Sequence, residues 1–511
     1  MSADRRLFGP VLASTAAALL YTLASPPLDW SVLAWLAPAS LLLPAERLSP
    51  WRAALPGFVF GIVIAAGITH WAVSASLRYF ELDAITSFAF ALLVWVLYSG
   101  VPYALLTAAY AAAAKRLPRV LHPFAAAWLW VVVEVLRSVP PVGMPWGLLS
   151  HTQWQSSTVI QIADLGGAYA VTALVVLVST ALGLALRDGL LRRDRQEPLL
   201  AHVSTACAAL ALLFLYGMHA LERAWAEQAE SGAARIAVVQ GGRPNPYRWK
   251  RSFFQRELLT YARLTHEGTA GTPSLDLVVW PENAVNFYLD SEPVLRAQLG
   301  QIAQGLNAPL VVGAPRLSDP STAHNSAYLI GPEGRIEEAY DKQILVPFAE
   351  QEILASDEPQ DGPRYASGSS GAPLHAPGFE LGTMICYEVL FPQLVRDTVR
   401  RGASLLVNIS NDSWMDGGDG AASLQHFSMS VLRAVETRRY LVRSSSGGIS
   451  GFVTPAGETF AVVPHGSARA QVGDVTPRRE LTPYVRHGET WIVVAAVLLA
   501  ACAFAAHRSA S

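Results

Sequence analysis

Apolar residues recur along this chain on two length scales, and the scale changes near residue 217. Before that point, long apolar runs occupy 7–24, 30–44, 53–76, 86–114, 122–138, 167–186 and 199–217. Each approaches the roughly 20 residues that a helix needs to cross a hydrocarbon core, the second being short. An eighth run, 491–506, lies near the C-terminus. The first follows Arg5 and Arg6 and has the form of either a signal peptide or a first span. Because further spans come at once, an uncleaved helix is the reading taken. The pattern predicts a polytopic α-helical membrane domain of eight spans, seven within 1–220 and the last within 489–507.

From Arg235 the apolar stretches shorten to strand length and are separated by turn signals: ARIAVVQGG, LDLVVWPEN, APLVVGAPR, NSAYLIGPEGRIEEAYDK, LGTMICYEV and ASLLVNISND. Helix-like stretches lie between them, near 252–266, 292–306, 391–401 and 423–440. Strands alternating with helices predict an α/β layered domain over 232–482. Runs as continuous as LLVNI suit strands covered on both faces. The PEGR and PAGE turns read as hairpins, so the sheet is expected to be mixed.

Composition supports this division. Of 511 residues, 52% are hydrophobic and only 15% charged, against roughly 25% charged in an average soluble chain. A net charge of −2 and the lack of a basic stripe with interleaved aromatics argue against a nucleic-acid partner. Lys and Arg collect at Arg5, Arg6, Arg47, Arg52, Lys115, Arg116, Arg119, Arg187, Arg192, Arg193 and Arg195, whereas Arg78, Arg137 and Arg223 fall on the other side. By the positive-inside rule both termini are cytoplasmic and the α/β domain is extracytoplasmic. His70, Glu134, Arg137 and Asp164 lie near the outer ends of runs, where snorkelling and i,i+3 pairing are the economical reading.

Three cysteines are present, and Cys386 alone lies in the polar half. An isolated cysteine is more often a small buried hydrophobe than a nucleophile, but its neighbours change that reading. Cys386 closes the run LGTMI, Glu282 follows LDLVVWP, and Lys342 ends the far arm of a hairpin. Reactive groups gather beyond the carboxyl ends of strands in α/β sheets. A thiol with an ordinary pKa near 8.5 needs a base, which Glu282 would supply. An oxyanion formed on attack at an ester needs donors, which Lys342 and the backbone N–H of Tyr387 would provide. Glu350 and Glu388 are candidates for orienting the lysine, with surface roles equally open.

The motifs WPE, YDK and CYE in that order resemble the Glu-Lys-Cys set of the nitrilase (carbon-nitrogen hydrolase) superfamily. Such a domain placed between the seventh and eighth of eight spans resembles the apolipoprotein N-acyltransferase family. The likeness is carried by VVQGGRPNPYRW, VVWPENA, YDKQILVPFAE, ICYEVLFP, NISNDSWM and SLQHFSMSVLRAVETRRYLVRSSSGGISG, and it covers essentially the whole chain. It implies an αββα sandwich, with Glu282, Lys342 and Cys386 catalytic, Trp249 at the family's tryptophan position, and Glu350, Tyr387 and Glu388 in support. It further implies a bacterial inner-membrane enzyme with a periplasmic catalytic domain, acting as a monomer without metal or organic cofactor. The acyl chain of a phospholipid, typically phosphatidylethanolamine, would pass through a thioester on Cys386. The acceptor would be the α-amino group of a diacylglyceryl-cysteine on an apolipoprotein. The segment 351–373 is more polar and richer in Gly and Ser than the family's lid.

Two other readings compete. A membrane-anchored nitrilase-type amidase acting on small C–N substrates would need only one or two spans. A transporter or scaffold carrying an inactive domain would have no reason to retain Glu282, Lys342 and Cys386 together.

Overall fold

In the computed structural model, which describes residues 3–140, 143–191, 196–229, 234–242, 251–347, 349–350, 363–415 and 419–510, the α/β half forms two mixed sheets. The strands in chain order are β1 (Ala234–Gln240), β2 (Leu277–Val279), β3 (Leu310–Asp319), β4 (Thr322–Ile330), β5 (Ile336–Asp341), β6 (Arg364–Tyr365), β7 (Leu374–Ala376), β8 (Phe379–Ile385), β9 (Leu405–Ser410), β10 (Leu441–Ser445), β11 (Ser450–Val453), β12 (Thr459–Val463) and β13 (Arg469–Val475). One sheet runs β13-β1-β2-β3-β4-β5, with the short β6 on β4; the other runs β12-β11-β10-β9-β8-β7. The centre of each sheet is parallel, β1-β2-β3 in one and β8-β9-β10 in the other. Hairpins at GPEGR and PAGE supply the expected antiparallel partners.

Strand alternation sorts each sheet's side chains into two layers. Ile236, Val238, Leu277, Val279, Val311 and Leu329 meet Leu381, Ile385, Leu405, Val407, Ile409 and Val442 of the second sheet in one buried cluster. The intervening Ala237, Val239, Val278, Trp280, Leu310 and Val312 face the opposite way, onto the helices Arg251–Thr269 and Pro293–Leu306. The helices Pro392–Arg400 and Ala421–Thr437 pack on the outer face of the second sheet. The order is therefore helix, sheet, sheet, helix. It explains why β9 is buried at every position, as its apolar run predicted.

Residues 223–486 make up one compact unit, and the helices up to 222 together with those from 487 onward make up another. In the helical unit, six of the eight predicted runs form helices long and apolar enough to cross a membrane: Leu7–Ala24, Pro50–Ile68, Ala84–Ala113, Arg119–Leu136, Ala168–Gly189 and Pro198–Ala226. The other two runs correspond to the shorter apolar helices Ser31–Ala45 and Thr490–Ala505. The run read as 53–76 is not one helix: it ends at Ile68 and restarts as Trp71–Arg78. The GFVFG stretch lets Pro50–Ile68 approach the neighbouring helix closely. A Cβ on Gly57 would lie 2.2 Å from the Tyr103 carbonyl oxygen, and one on Gly61 2.4 Å from that of Ser99.

Snorkelling does not describe Glu134 or Arg137. Glu134 is fully buried and accepts from Leu149 N at 2.8 Å, Thr172 Oγ1 at 2.8 Å and Trp130 Nε1 at 3.2 Å. Arg137 donates to the Trp146 carbonyl at 3.1 Å rather than pairing with Glu134. The segment around Trp146 and Leu149 is packed inside the unit, so the Glu134 carboxylate is satisfied there without reaching water, while Arg137 is held through the Nη2 arm of its guanidinium and its Nε is left without a hydrogen-bond partner among the described residues.

One close approach in the α/β unit sets the position of Glu282. Gly313 of β3 donates to the Pro281 carbonyl at 3.2 Å, and a Cβ there would sit 2.5 Å from that oxygen and 2.6 Å from Glu282 Cα. Gly313→Ala is expected to cost about 1–3 kcal/mol. Thermal unfolding followed by near-UV circular dichroism should show a midpoint lower by roughly 2–10 °C; an unchanged midpoint would mean that the Glu282 turn yields freely.

Candidate active site

Glu282, Lys342 and Cys386 converge from three strand ends. Glu282 lies just past β2, Lys342 follows β5, and Cys386 follows β8. They are only 4%, 1% and 2% exposed, which excludes the solvated strand-end charge as an account of the first two. The Lys342 Nζ lies 2.7 Å from Glu350 Oε2 and 3.5 Å from Glu282 Oε1. Asn325 of β4 donates through Nδ2 to both carboxylates, at 2.7 Å to Glu282 and 2.8 Å to Glu350. The Cys386 thiol and the Glu282 carboxylate lie close enough to act on each other's ionisation. Although the sulfur abuts the inter-sheet core, it thus remains within electrostatic reach of its predicted partner.

The cluster holds two carboxylates and one ammonium, and the shorter contact goes to Glu350. Glu282 is left the less well paired, and its carboxyl is raised, first by burial and then by the Glu350 charge, against the pull of Lys342 and Asn325. Burial alone would lower Lys342, but Glu350 and Glu282 outweigh it and keep the lysine charged. Burial and the Glu282 charge push the Cys386 thiol up, with Lys342 opposing. The resting cluster is a neutral thiol beside a basic carboxylate. Such an arrangement suits proton removal during attack rather than a standing thiolate.

The backbone at Cys386 is unusual. Its φ of 52° is left-handed, a strained conformation for a residue other than glycine. β8 breaks there into a 3-10 turn, Cys386–Leu390, lifting the sulfur out of the strand line. Glu388 secures this turn. It is fully buried and accepts from Ile385 N at 2.7 Å, Gln343 N at 2.6 Å, Ile344 N at 3.2 Å and Tyr340 Oη at 3.0 Å. The carboxylate therefore ties the cysteine turn to the loop that carries Lys342. Burial pushes its carboxyl up to about 7, with the backbone donors and Lys342 opposing. Glu350 is held by Val346 N at 2.9 Å as well as by Lys342. Tyr387 packs edge-on against Phe391, with ring centroids 5.1 Å apart. Trp249 and most of the 351–373 segment, residues 351–362, lie outside the described residues.

Sequence reasoning assigned no part to Asn325 or to a second buried group made by Asp412, His426 and Arg443. Asp412 accepts from Arg443 Nη2 at 3.0 and 2.8 Å through its two oxygens, and lies 2.9 Å from His426 Nδ1. Arg443 outweighs burial and holds the Asp412 carboxyl well below its usual range. One atom each of Cys386, Asp412 and His426 lies within 4.8 Å of the others, a spacing a metal ion would accept. The guanidinium already engages both Asp412 oxygens, however, so this donor set does not fit a cation. The signal available beforehand was the placement of a histidine, an arginine and an aspartate inside otherwise apolar or small-residue stretches.

Comparison with known proteins matches both halves. The family described as "Apolipoprotein N-acyltransferase N-terminal domain" matches residues 17–181, and "Carbon-nitrogen hydrolase" matches 235–479. An apolipoprotein N-acyltransferase of Geobacter metallireducens is 33% identical over 95% of this chain and 94% of its own. One from Azotobacter vinelandii is 30% identical over 98% and 96%. Among solved structures, a mutant of the Nesterenkonia AN1 amidase from the nitrilase superfamily aligns with a TM-score of 0.39 at 20% identity, covering 52% of this chain and 97% of that one.

Replacing Glu388 with Gln keeps the shape but turns an amide group toward N–H donors. The expected cost is about 2–4 kcal/mol. Hydrogen exchange should show the amides of Gln343, Ile344 and Ile385 exchanging faster than in the parent protein. Unchanged exchange at all three would remove the bracing role.

Proposed function

The chain belongs to the apolipoprotein N-acyltransferase family, and we propose that it moves an acyl chain from a membrane phospholipid, through a thioester on Cys386, to the α-amino group of a diacylglyceryl-cysteine. The observation that carries this reading is that the likeness extends through both the helical and the α/β halves. An amidase that merely used a membrane anchor would account for the second half alone.

The chemistry follows from the pairing at the site. As the thiol attacks the ester carbonyl carbon, its proton passes to Glu282. The oxyanion so formed is held by the Lys342 ammonium and the Tyr387 N–H. Collapse breaks the ester C–O bond, and the leaving lysophospholipid alkoxide recovers the proton from Glu282. In the second half the acceptor amine attacks the thioester carbon and Glu282 takes the amine's proton. The C–S bond breaks, and the proton returns to sulfur. Glu350 keeps Lys342 in place, Glu388 braces the two loops, and Trp249 has the supporting, substrate-binding role that its place in the family's sequence implies.

The finer arrangement is part of the same proposal. The domains are a helical part at 1–220 and 489–507 and a catalytic part at 232–482. Eight spans place both termini in the cytoplasm and the catalytic domain on the periplasmic face of the bacterial inner membrane, as the Lys and Arg distribution supports. Phosphatidylethanolamine is the proposed donor, diacylated apolipoproteins are the acceptors, and the enzyme is a monomer that needs no cofactor.

Two experiments test the mechanism. With labelled phospholipid, the parent protein is expected to accumulate an acyl adduct on the Cys386 peptide that an added diacylated lipopeptide discharges as N-acyl product. Release of free fatty acid without an amine would instead indicate hydrolysis. Cys386→Ala should form no adduct and lose transfer by at least about 10⁴-fold, with Cys386→Ser keeping at most a trace; normal transfer by the alanine variant would overturn the assignment.

The second concerns pH. Glu282 must be ionised to accept the proton, so acyl-enzyme formation should rise with pH through an inflection above the ordinary carboxylate range, since its carboxyl is raised. Glu350→Gln removes a neighbouring negative charge, which should move that inflection toward lower pH. A shift the other way, or none, would show that the two carboxylates are not coupled through Lys342.

A further inference from the structure

The helix Ala421–Thr437 is buried along nearly its whole length although it carries His426, Arg433 and Glu436. Two of these side chains reach the same short element. His426 Nε2 lies 3.2 Å from the Cys386 carbonyl oxygen, and Arg433 Nη1 donates to the Leu390 carbonyl at 3.1 Å. Residues 426 and 433 are seven apart, two helical turns, and so share a face. Cys386 and Leu390 are the two ends of the 3-10 turn. The helix thus grips the nucleophile's turn from behind, at both ends.

The first of these contacts has chemical content. A carbonyl oxygen only accepts, so Nε2 must carry the imidazole proton and donate it. The other ring nitrogen faces Arg443 Nη2 at 3.1 Å and Asp412 at 2.9 Å, which fixes the ring. Burial and the Arg443 charge keep His426 below its usual range, consistent with a neutral ring whose Nδ1 accepts from the guanidinium. The carbonyl of Cys386 and the N–H of Tyr387 are the two ends of one planar, conjugated peptide group. A donor on the oxygen draws electron density from the nitrogen and makes its N–H a stronger donor, the cooperative effect seen along hydrogen-bond chains.

We propose that His426 is a positioning residue for acyl transfer, acting through the Cys386–Tyr387 peptide: it fixes that group in its left-handed turn and strengthens the Tyr387 N–H toward the oxyanion. The inference rests on the reading that Cys386 is acylated and that Tyr387 N–H faces the oxyanion. The Asp412–Arg443 pair orients the imidazole, much as outer partners orient a ligating histidine in metal sites.

The test compares two reactions of the same sulfur. Acylation by phospholipid passes through an oxyanion, whereas alkylation of Cys386 by iodoacetamide does not; both rates are read by mass spectrometry on the Cys386 peptide. In His426→Leu the acylation rate should fall about tenfold to a hundredfold, less than the loss of a whole oxyanion donor, while alkylation stays within about threefold of the parent rate. His426→Gln, which retains an N–H donor of similar reach, should recover most of the acylation rate. If the leucine variant does not fold, His426→Asn is used; it keeps an acceptor for Arg443 Nη2 but is too short for the Cys386 carbonyl, and should show the same split. Equal losses in both reactions, or an unchanged acylation rate, would overturn the proposal. A parent protein that is alkylated but never acylated would overturn the underlying acyl-transfer reading instead.

Discussion

A single buried ammonium placed unequally between two carboxylates governs the chemistry of this site. Lys342 is 2.7 Å from Glu350 and 3.5 Å from Glu282. At an effective dielectric near 20 that difference in separation is on the order of 1 kcal/mol of charge–charge attraction. It is enough to bias the pair by roughly tenfold, so that one carboxylate neutralises the lysine and the other stays basic. Were the contacts equal, neither carboxylate would be clearly the more basic. Burial enforces the bias, because in the open both charges would be screened and the distinction lost. Removing Lys342 would leave two carboxylates uncompensated inside the protein, which is strongly destabilising. The arrangement is therefore maintained by folding as well as by chemistry.

That constraint explains the distribution of polar groups along the rim. Asn325 has one amide nitrogen serving both carboxylates, so it keeps the two at fixed separation while favouring the charged form of Glu282. Glu388 feels the lysine's charge but makes no ion pair with it. Its four donors come from the cysteine turn, the lysine loop and Tyr340, and they bind the two strand ends that must stay in register. The Asp412–Arg443 pair is buried and self-neutralising, so it can support His426 without adding net charge near the thiol.

Much of this was legible in the chain. The order WPE, YDK, CYE marked the strand ends, and continuous apolar runs such as LLVNI marked strands covered on both faces. The change in run length near residue 217 separated the two halves. Other features depend on pairings distant in sequence. β13 closes its sheet against β1, more than two hundred residues away, and neither strand's local pattern names the other. His426, Arg433 and Arg443 were hidden for a related reason. Periodicity marks their segments as buried but cannot tell which buried polar side chain meets which carbonyl. Glu134 and Arg137 were misread because a charged residue near a run's end is usually close to water, whereas here a folded-back segment supplies partners inside the unit.

The left-handed conformation at Cys386 brings these threads together. A non-glycine residue there carries a strain of about 1–3 kcal/mol, which a glycine would avoid but only by giving up the sulfur. The strain persists because the turn is held from two sides. Glu388 takes the Ile385 N–H at its start, and the helix Ala421–Thr437 takes the carbonyls of Cys386 and Leu390. Together these three buried polar contacts would cost more if broken than the turn would gain by relaxing. The conformation is thus the least costly one available to a chain that must satisfy all of these groups at once. The Cys386 sulfur is presented not by local preference but by the hydrogen-bonding needs of residues up to forty-seven positions away, as the separation of Cys386 from Arg433 shows.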